Sequence, residues 1–252
     1  MIKLRYHCIG VQEASRLGVN AVEFDLSFSS DNEPIIFHDL VFDRTTDGKG
    51  PIRSLTWKEI QQLNASCKYT GPGNYPEQKV PHLRDMLKEC KRLRLKAFID
   101  LKGATAPILT AKVLLQLSQE FPDLHEWVAV CSFFPHNLFA VKWYLPQMFS
   151  ILIYRSRALT HIGDYVYIPF NNIFKKICLP FDLLLEVLVY FVWWRICGTN
   201  AVFFDEEVAI APEVNFWKAR SQDVFVYNVN SHDMKAYLRS LDIPYITDDC
   251  SN

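Results

Sequence analysis

The stretch AVEFDLSFSSDNEPIIFHDLVFDRTTDGKG, Ala21 to Gly50, decides how the rest of the chain is read. Apolar and polar residues alternate through its first half-dozen positions. Residues two apart in a strand share a face, so Val22, Phe24, Leu26 and Phe28 form an apolar side that would pack on helices. Glu23, Asp25 and Ser27 form the other side, which would line the interior of a barrel. Two carboxylates held close and away from water repel each other unless a cation neutralises them or a proton is shared. A hard divalent ion, Mg²⁺ or Ca²⁺, suits such an oxygen donor set. An exposed edge strand with solvated acids is the plainer alternative. A second apolar run ends on His38-Asp39, thirteen residues after Asp25. A histidine near a metal site is a natural general acid or base, because its pKa lies near neutrality.

Working outward, only SSDNEP separates these first two strands. A parallel crossover needs a dozen residues or more, so Ile35–His38 must return as a hairpin-like excursion. The other candidate strands are Leu95–Leu101, Val128–Ser132, Phe149–Tyr154, Asn200–Phe204, Val224–Val229 and Pro244–Thr247. Amphipathic stretches of helical length lie between most of them. In TWKEIQQLN, Thr56 is the expected N-cap and Glu59 completes a capping box; HLRDMLKECKRLR is a second example. Such alternation implies parallel strands with helical crossovers. With the excursion set aside, seven parallel strands remain where a (β/α)8 barrel needs eight. Nothing before Ala21 reads as a strand. The expectation is one α/β barrel domain over residues 1–252, lacking its first strand.

The paired-residue device recurs in AFIDLKG. Asp100 and Lys102 share one face, while Ile99 and Leu101 pack on the other. Asp100 is a candidate third metal ligand, and Lys102 can hold an anionic oxygen such as phosphate. A structural ion pair is the alternative. No nucleophile elbow, P-loop or GxGxxG fingerprint occurs. His7, His82, His125, His136, His161 and His232 have no partners at ligand spacing and read as surface or structural residues.

The chain has 252 residues, 22% of them charged, and a formal net charge of −1. No basic field or clustered Lys/Arg run points to a nucleic acid. Seven cysteines are scattered without a CxxC, so they read as structural filler rather than a disulfide scaffold or zinc site. One segment, Ile177–Cys197, has the length of a bilayer span. Its twelve Ile, Leu, Val and Phe residues favour insertion by roughly 4–7 kcal/mol, and Asp182, Glu186 and Arg195 oppose it by roughly 5–10 kcal/mol. Trp193, Trp194 and Arg195 resemble an interfacial belt. A helix lying on a membrane, a buried core helix and a true span all stay open.

Taken in order, EFD, FHDLVFDRTTDGKG, VPHLRDML, FIDLKG, VYNVN and YITDD resemble the glycerophosphodiester phosphodiesterase family over nearly the whole chain from about Gly10. DRTTDG, CSF, HIGD and the apolar segment before CGTNAVFF are similar to its animal membrane-associated branch. The resemblance implies a (β/α)8 TIM barrel of the PLC-like phosphodiesterase type. It implies metal-dependent hydrolysis of glycerophosphodiesters, such as glycerophosphoinositol, to sn-glycerol 3-phosphate and an alcohol. Glu23, Asp25 and Asp100 match the metal ligands, Lys102 the phosphate-contacting lysine and His38 a catalytic histidine. The metal would be Mg²⁺, with Ca²⁺ as the alternative. Tyr227-Asn228-Val229-Asn230 stands where the family has Trp-Thr-Val-Asn. The family's His-Arg pair and Pro-Glu-Asn-Thr stretch do not occur, so the domain is expected to be N-terminally truncated, with the branch's membrane anchor also preceding this chain. The branch implies a membrane surface as partner, at the endoplasmic reticulum or plasma membrane; a cytoplasmic protein is the alternative. A lysophospholipase D acting on lyso-N-acyl phospholipids and a non-catalytic truncated isoform are the competing functions.

Overall fold

The computed structural model describes residues 2–3, 8–68, 76–102, 106–156, 160 and 172–248. Eight strands are present among them: β1 (Ile2–Lys3), β2 (Ala21–Phe28), β3 (Pro34–Ile36), β4 (Lys96–Leu101), β5 (Val128–Ser132), β6 (Phe149–Tyr154), β7 (Ala201–Asp205) and β8 (Asp223–Tyr227). All but β3 pair in chain order, every neighbour parallel. Beyond β8, a parallel bridge joins Val226 to Tyr245. Val226 N–H donates to the Pro244 carbonyl (3.1 Å) and Ile246 N–H to the Val226 carbonyl (2.7 Å). Seven strands and this bridge fill the eight positions of a (β/α)8 barrel.

The expectation that nothing before Ala21 forms a strand is corrected. β1 occupies the first position, with Ile2 beside Val22 and Lys3 beside Glu23. Two residues are too few to show a period-two pattern, so no strand signal is legible there. The short-loop excursion is as expected: β3 lies antiparallel on β2, with Leu26 opposite Ile36.

Among the described residues the α-helices are α1 (Cys8–Arg16), α2 (Trp57–Ile60), α3 (Leu83–Arg92), α4 (Pro107–Glu120), α5 (Leu124–Trp127), α6 (Pro135–Tyr144), α7 (Asn172–Leu188), α8 (Trp194–Cys197), α9 (Ala211–Lys218) and α10 (His232–Ser240). Thr56 caps α2 as the sequence implied, its N–H donating to Glu59 Oε2 at 2.7 Å. His82, read as structural, caps α3 by accepting from Arg84 N–H at 3.1 Å. Strand alternation sorts the core into two layers. Val22, Phe24, Leu26, Ile99, Leu101 and Val130 pack outward against Leu83, Met86, Leu87, Ala111 and Leu114 of the helices. Phe98, Cys131, Ile151, Ile153 and Phe203 face inward. There Phe98, Phe203 and Phe225 form an aromatic plug, with ring centroids 5.3–5.9 Å apart. The barrel is thus a packed interior and not a pore.

The stretch Ile177–Cys197 is helical throughout, a π-turn at Val189–Trp193 linking α7 to α8, and only Cys178, Asp182 and Cys197 in it are buried. Gly198 ends it at φ +59, a left-handed cap that glycine adopts without strain. Val189, Tyr190, Trp193 and Trp194 pack on the outer core. The tryptophans therefore belong to the barrel's coat, and Arg195 stacks on the Trp194 ring at 4.2 Å. Earlier in the helix, Ile177, Phe181, Leu183, Leu184 and Val187 are exposed.

Candidate active site

In a barrel of this kind, functional side chains gather at the C-terminal ends of the strands. β2 and β4 lie side by side in a register that sets Asp25 beside Asp100 and Glu23 beside Phe98. The inward face of β2 delivers Glu23 and Asp25, and that of β4 delivers Asp100. One oxygen from each lies within 4.8 Å of the other two. All three are buried, at 5%, 2% and 4% exposure, which rejects the reading of solvated edge-strand acids. The aromatic plug beneath them keeps the surroundings apolar.

Lys102, one residue past β4, reaches back to the cluster. Its ammonium lies 2.6 Å from Asp100 Oδ2 and 3.0 Å from Asp25 Oδ1. Burial alone would lower its pKa, but the charges of Asp100, Asp25 and Glu23 outweigh burial and raise it well above the ordinary lysine value. Three buried carboxylates so close together favour a cation among them. Hard oxygens so arranged fit a hard divalent ion, and Glu23, Asp25 and Asp100 are the residues that could hold it. The Cys131 thiol, beside Asp100 in register, is pushed well above its usual pKa, first by burial and then by Asp100 and Glu23. It stays a protonated thiol beside the acids.

His38 is set by the hairpin. Phe37 N–H donates to the Asp25 carbonyl (3.0 Å), and Ser27 Oγ donates to the Phe37 carbonyl (2.9 Å). The residue before His38 is thereby fixed to the strand that carries the acids. Its Nδ1 bonds to Asp39 Oδ1 at 2.8 Å, and Arg44 grips the same carboxylate with two bonds of 2.7 Å. Burial would raise the Asp39 pKa, but the bonds from His38 and Arg44 prevail and hold it at about 2. Asp39 thus stays ionised and orients the imidazole, which makes Nε2 the nitrogen able to exchange a proton. Arg44 and the orienting role of Asp39 were not foreseen from sequence; an arginine five residues past the His-Asp pair was the available signal.

The opposite side of the mouth carries residues that the sequence reading passed over. Arg155 follows β6 and Asp205 ends β7, on the inward face that Ile153 and Phe203 define. Asp205 pairs in register with Tyr227. The signal was again alternation: each polar residue stands two past an inward apolar one. His7, His161 and the HIGD stretch lie outside the described residues.

A (β/α)8 barrel with buried carboxylates and a lysine gathered at its strand ends is the architecture of a barrel hydrolase. The chain belongs to the glycerophosphoryl diester phosphodiesterase family, which matches residues 10–251. Members of this family are phosphoric diester hydrolases. The chain is 34% identical to glycerophosphodiester phosphodiesterase 1 of Bos taurus and 32% identical to that of Homo sapiens, each match covering 94% of this chain and 72% of the relative. Among solved structures, it is similar to a glycerophosphodiester phosphodiesterase from Agrobacterium tumefaciens at a TM-score of 0.74 and 16% identity, covering 99% of this chain and 96% of the other. It is also similar to an Oleispira antarctica phosphodiesterase in complex with sn-glycerol-3-phosphate, at a TM-score of 0.74 and 19% identity, covering 96% and 86%. These two likenesses concern the fold.

Proposed function

We propose that this chain hydrolyses glycerophosphodiesters, such as glycerophosphoinositol, with a divalent metal held by Glu23, Asp25 and Asp100. The observation that carries the reading is the convergence of these carboxylates within 4.8 Å, bridged by Lys102. Mg²⁺ bound there would polarise the phosphate and offset its charge. Lys102 holds a phosphate oxygen and counters the negative charge that grows there in the transition state. His38 moves a proton through Nε2, with Asp39 fixing the ring. The products are sn-glycerol 3-phosphate and an alcohol. Incubating the full chain with glycerophosphoinositol and Mg²⁺ should release sn-glycerol 3-phosphate, and Glu23→Ala should abolish the release. Equal turnover by that variant would sink the reading.

A second reading, a lysophospholipase D working at a membrane surface, draws support from the helix Ile177–Cys197. Asp182 accepts bonds from the Thr160 hydroxyl and from Thr160 N–H (3.1 Å), and Glu186 accepts from Ser156 Oγ (2.8 Å). The acids that opposed a membrane role are thus turned toward the loop after β6, and the outer face is apolar. A helix lying on the lipid surface beside the mouth would present acylated substrates to it. Comparing turnover of acylated and deacylated diesters separates the two readings; a strict preference for water-soluble diesters rejects the second.

A further inference from the structure

Four polar side chains stand together on the far side of the barrel mouth from the carboxylates. Asp205 is 8% exposed and holds two bonds. Its Oδ1 accepts from Glu207 N–H at 3.3 Å, and its Oδ2 accepts from Asn228 Nδ2 at 3.1 Å. Asn228 takes φ +63, a left-handed conformation that asparagine tolerates better than most residues, and so places its amide beside Asp205 at the exit of β8. Tyr227 lies beside Asp205 in register and donates its hydroxyl to the Tyr154 carbonyl at 3.2 Å. The β6–β7 register ends at Tyr154 beside Phe204, and Arg155 and Asp205 each come one residue later on these neighbouring strand lines. Burial, with Asp205 next, pushes the Tyr227 phenol above its ordinary pKa, while Arg155 and Lys102 act against that rise.

Resting on the phosphodiesterase reading, we propose that Arg155, Asp205, Tyr227 and Asn228 form a subsite that binds a polyol portion of the substrate. The chemistry is that of alternating donors and acceptors. Asp205 offers only acceptor positions, Arg155 only donors, Asn228 both, and the Tyr227 oxygen an acceptor while its O–H donates to the Tyr154 carbonyl. Vicinal hydroxyls, each at once donor and acceptor, match such a wall. A quaternary ammonium does not. It has no N–H or O–H to give to Asp205 or Asn228, and the Arg155 guanidinium would repel it. The diester offers such hydroxyls from two sources, its glycerol and a polyol leaving alcohol.

Ligand-observed saturation-transfer NMR on the full chain, with Mg²⁺ present, tests this using myo-inositol, glycerol and choline as free probes. At least one polyol should bind and choline should not. Inositol binding without glycerol binding assigns the wall to the leaving alcohol, and the converse to glycerol. In Asp205→Asn and Asn228→Ser the polyol's apparent Kd should rise about tenfold, as expected for a lost hydrogen bond to a charged group. Absence of polyol binding, choline binding of equal strength, or an unchanged Kd in either folded variant overturns the subsite. Should neither variant fold, the wild-type comparison of polyol with choline decides alone. Because the readout needs no turnover, polyol binding without hydrolysis would sink only the phosphodiesterase reading.

Discussion

Replacing Lys102 with methionine removes the ammonium and keeps most of the stem. At an effective dielectric constant of about 20, its contacts of 2.6 Å to Asp100 and 3.0 Å to Asp25 correspond to gross attractions of about 6 and about 5.5 kcal/mol. Desolvating the three charges takes back most of that, and breaking a buried pair by removing one partner costs about 3–5 kcal/mol. Lys102 is 27% exposed. Water screens part of the interaction, so the expected loss is about 3 kcal/mol, the low end of that range. For a chain of 252 residues this lowers Tm by about 6–12 °C. The pH dependence has a definite sign. The folded-state pKa of Lys102 is raised. Its contribution is therefore complete below the unfolded lysine value of about 10.4 and is lost as pH rises through the folded value. Thermal melts in EDTA should show a gap between wild type and variant that is constant from pH 7 to about 10 and narrows only above it. Saturating Mg²⁺ should raise the variant's Tm more than the wild type's, since a divalent ion supplies the missing positive charge. A variant melting within about 2 °C of wild type in EDTA at pH 7 would refute the electrostatic account of the cluster.

Asp39→Asn should destabilise the chain at neutral pH by about 2 kcal/mol, which is the roughly 2.4 kcal/mol equivalent of lowering a carboxyl from 3.8 to about 2, reduced for solvent screening of a half-buried group. That contribution is present above 3.8 and is lost as pH falls through about 2, so urea titrations at pH 7 and pH 3 should show a smaller deficit at the lower pH. The same variant should lower kcat, because the His38 imidazole loses the acceptor that orients it. Phe181→Asp with Leu184→Glu replaces two side chains that are 56% and 55% exposed. Sedimentation with phosphatidylcholine vesicles should fall at least about tenfold, each lost apolar contact being worth about 1 kcal/mol or more. Tm should stay unchanged; undiminished sedimentation would remove the membrane reading of this face.

Much of the barrel was legible because a buried strand declares itself by alternation or by a short apolar run. The inward face of β2 gave Glu23 and Asp25, and the same logic gave Asp100 on β4 and Lys102 just past it; the β2–β4 register then brought the acids together. The hairpin carrying His38 was legible from a chain-length limit, since six residues cannot make a parallel crossover. What escaped lay at strand ends. Arg155 falls just past β6 and Asp205 is the last residue of β7, where the periodic signal stops. The grip of Arg44 on Asp39 depends on the course of a loop, which no periodicity encodes.

The apolar helix shows why a sum over residues misjudges such a segment. Adding the costs of Asp182 and Glu186 treats both as facing lipid. The two are four apart and lie on one helical face, and that face meets Ser156 and Thr160 in the loop after β6. Asp182 is 2% exposed, so its charge is screened from the helix's outer surface by protein. The second half of the helix is held differently, by Val189, Tyr190, Trp193 and Trp194 packing on the barrel. The unpartnered apolar surface therefore concentrates in the first half, at Ile177, Phe181, Leu183, Leu184 and Val187. This half is the one tied to the loop that carries Arg155 and Ser156, at the C-terminal end of β6, across the barrel mouth from the carboxylates. A surface helix that lay on lipid by this face would bring the barrel mouth close to the bilayer. The two acids would then serve as the clamp that sets the helix against the mouth.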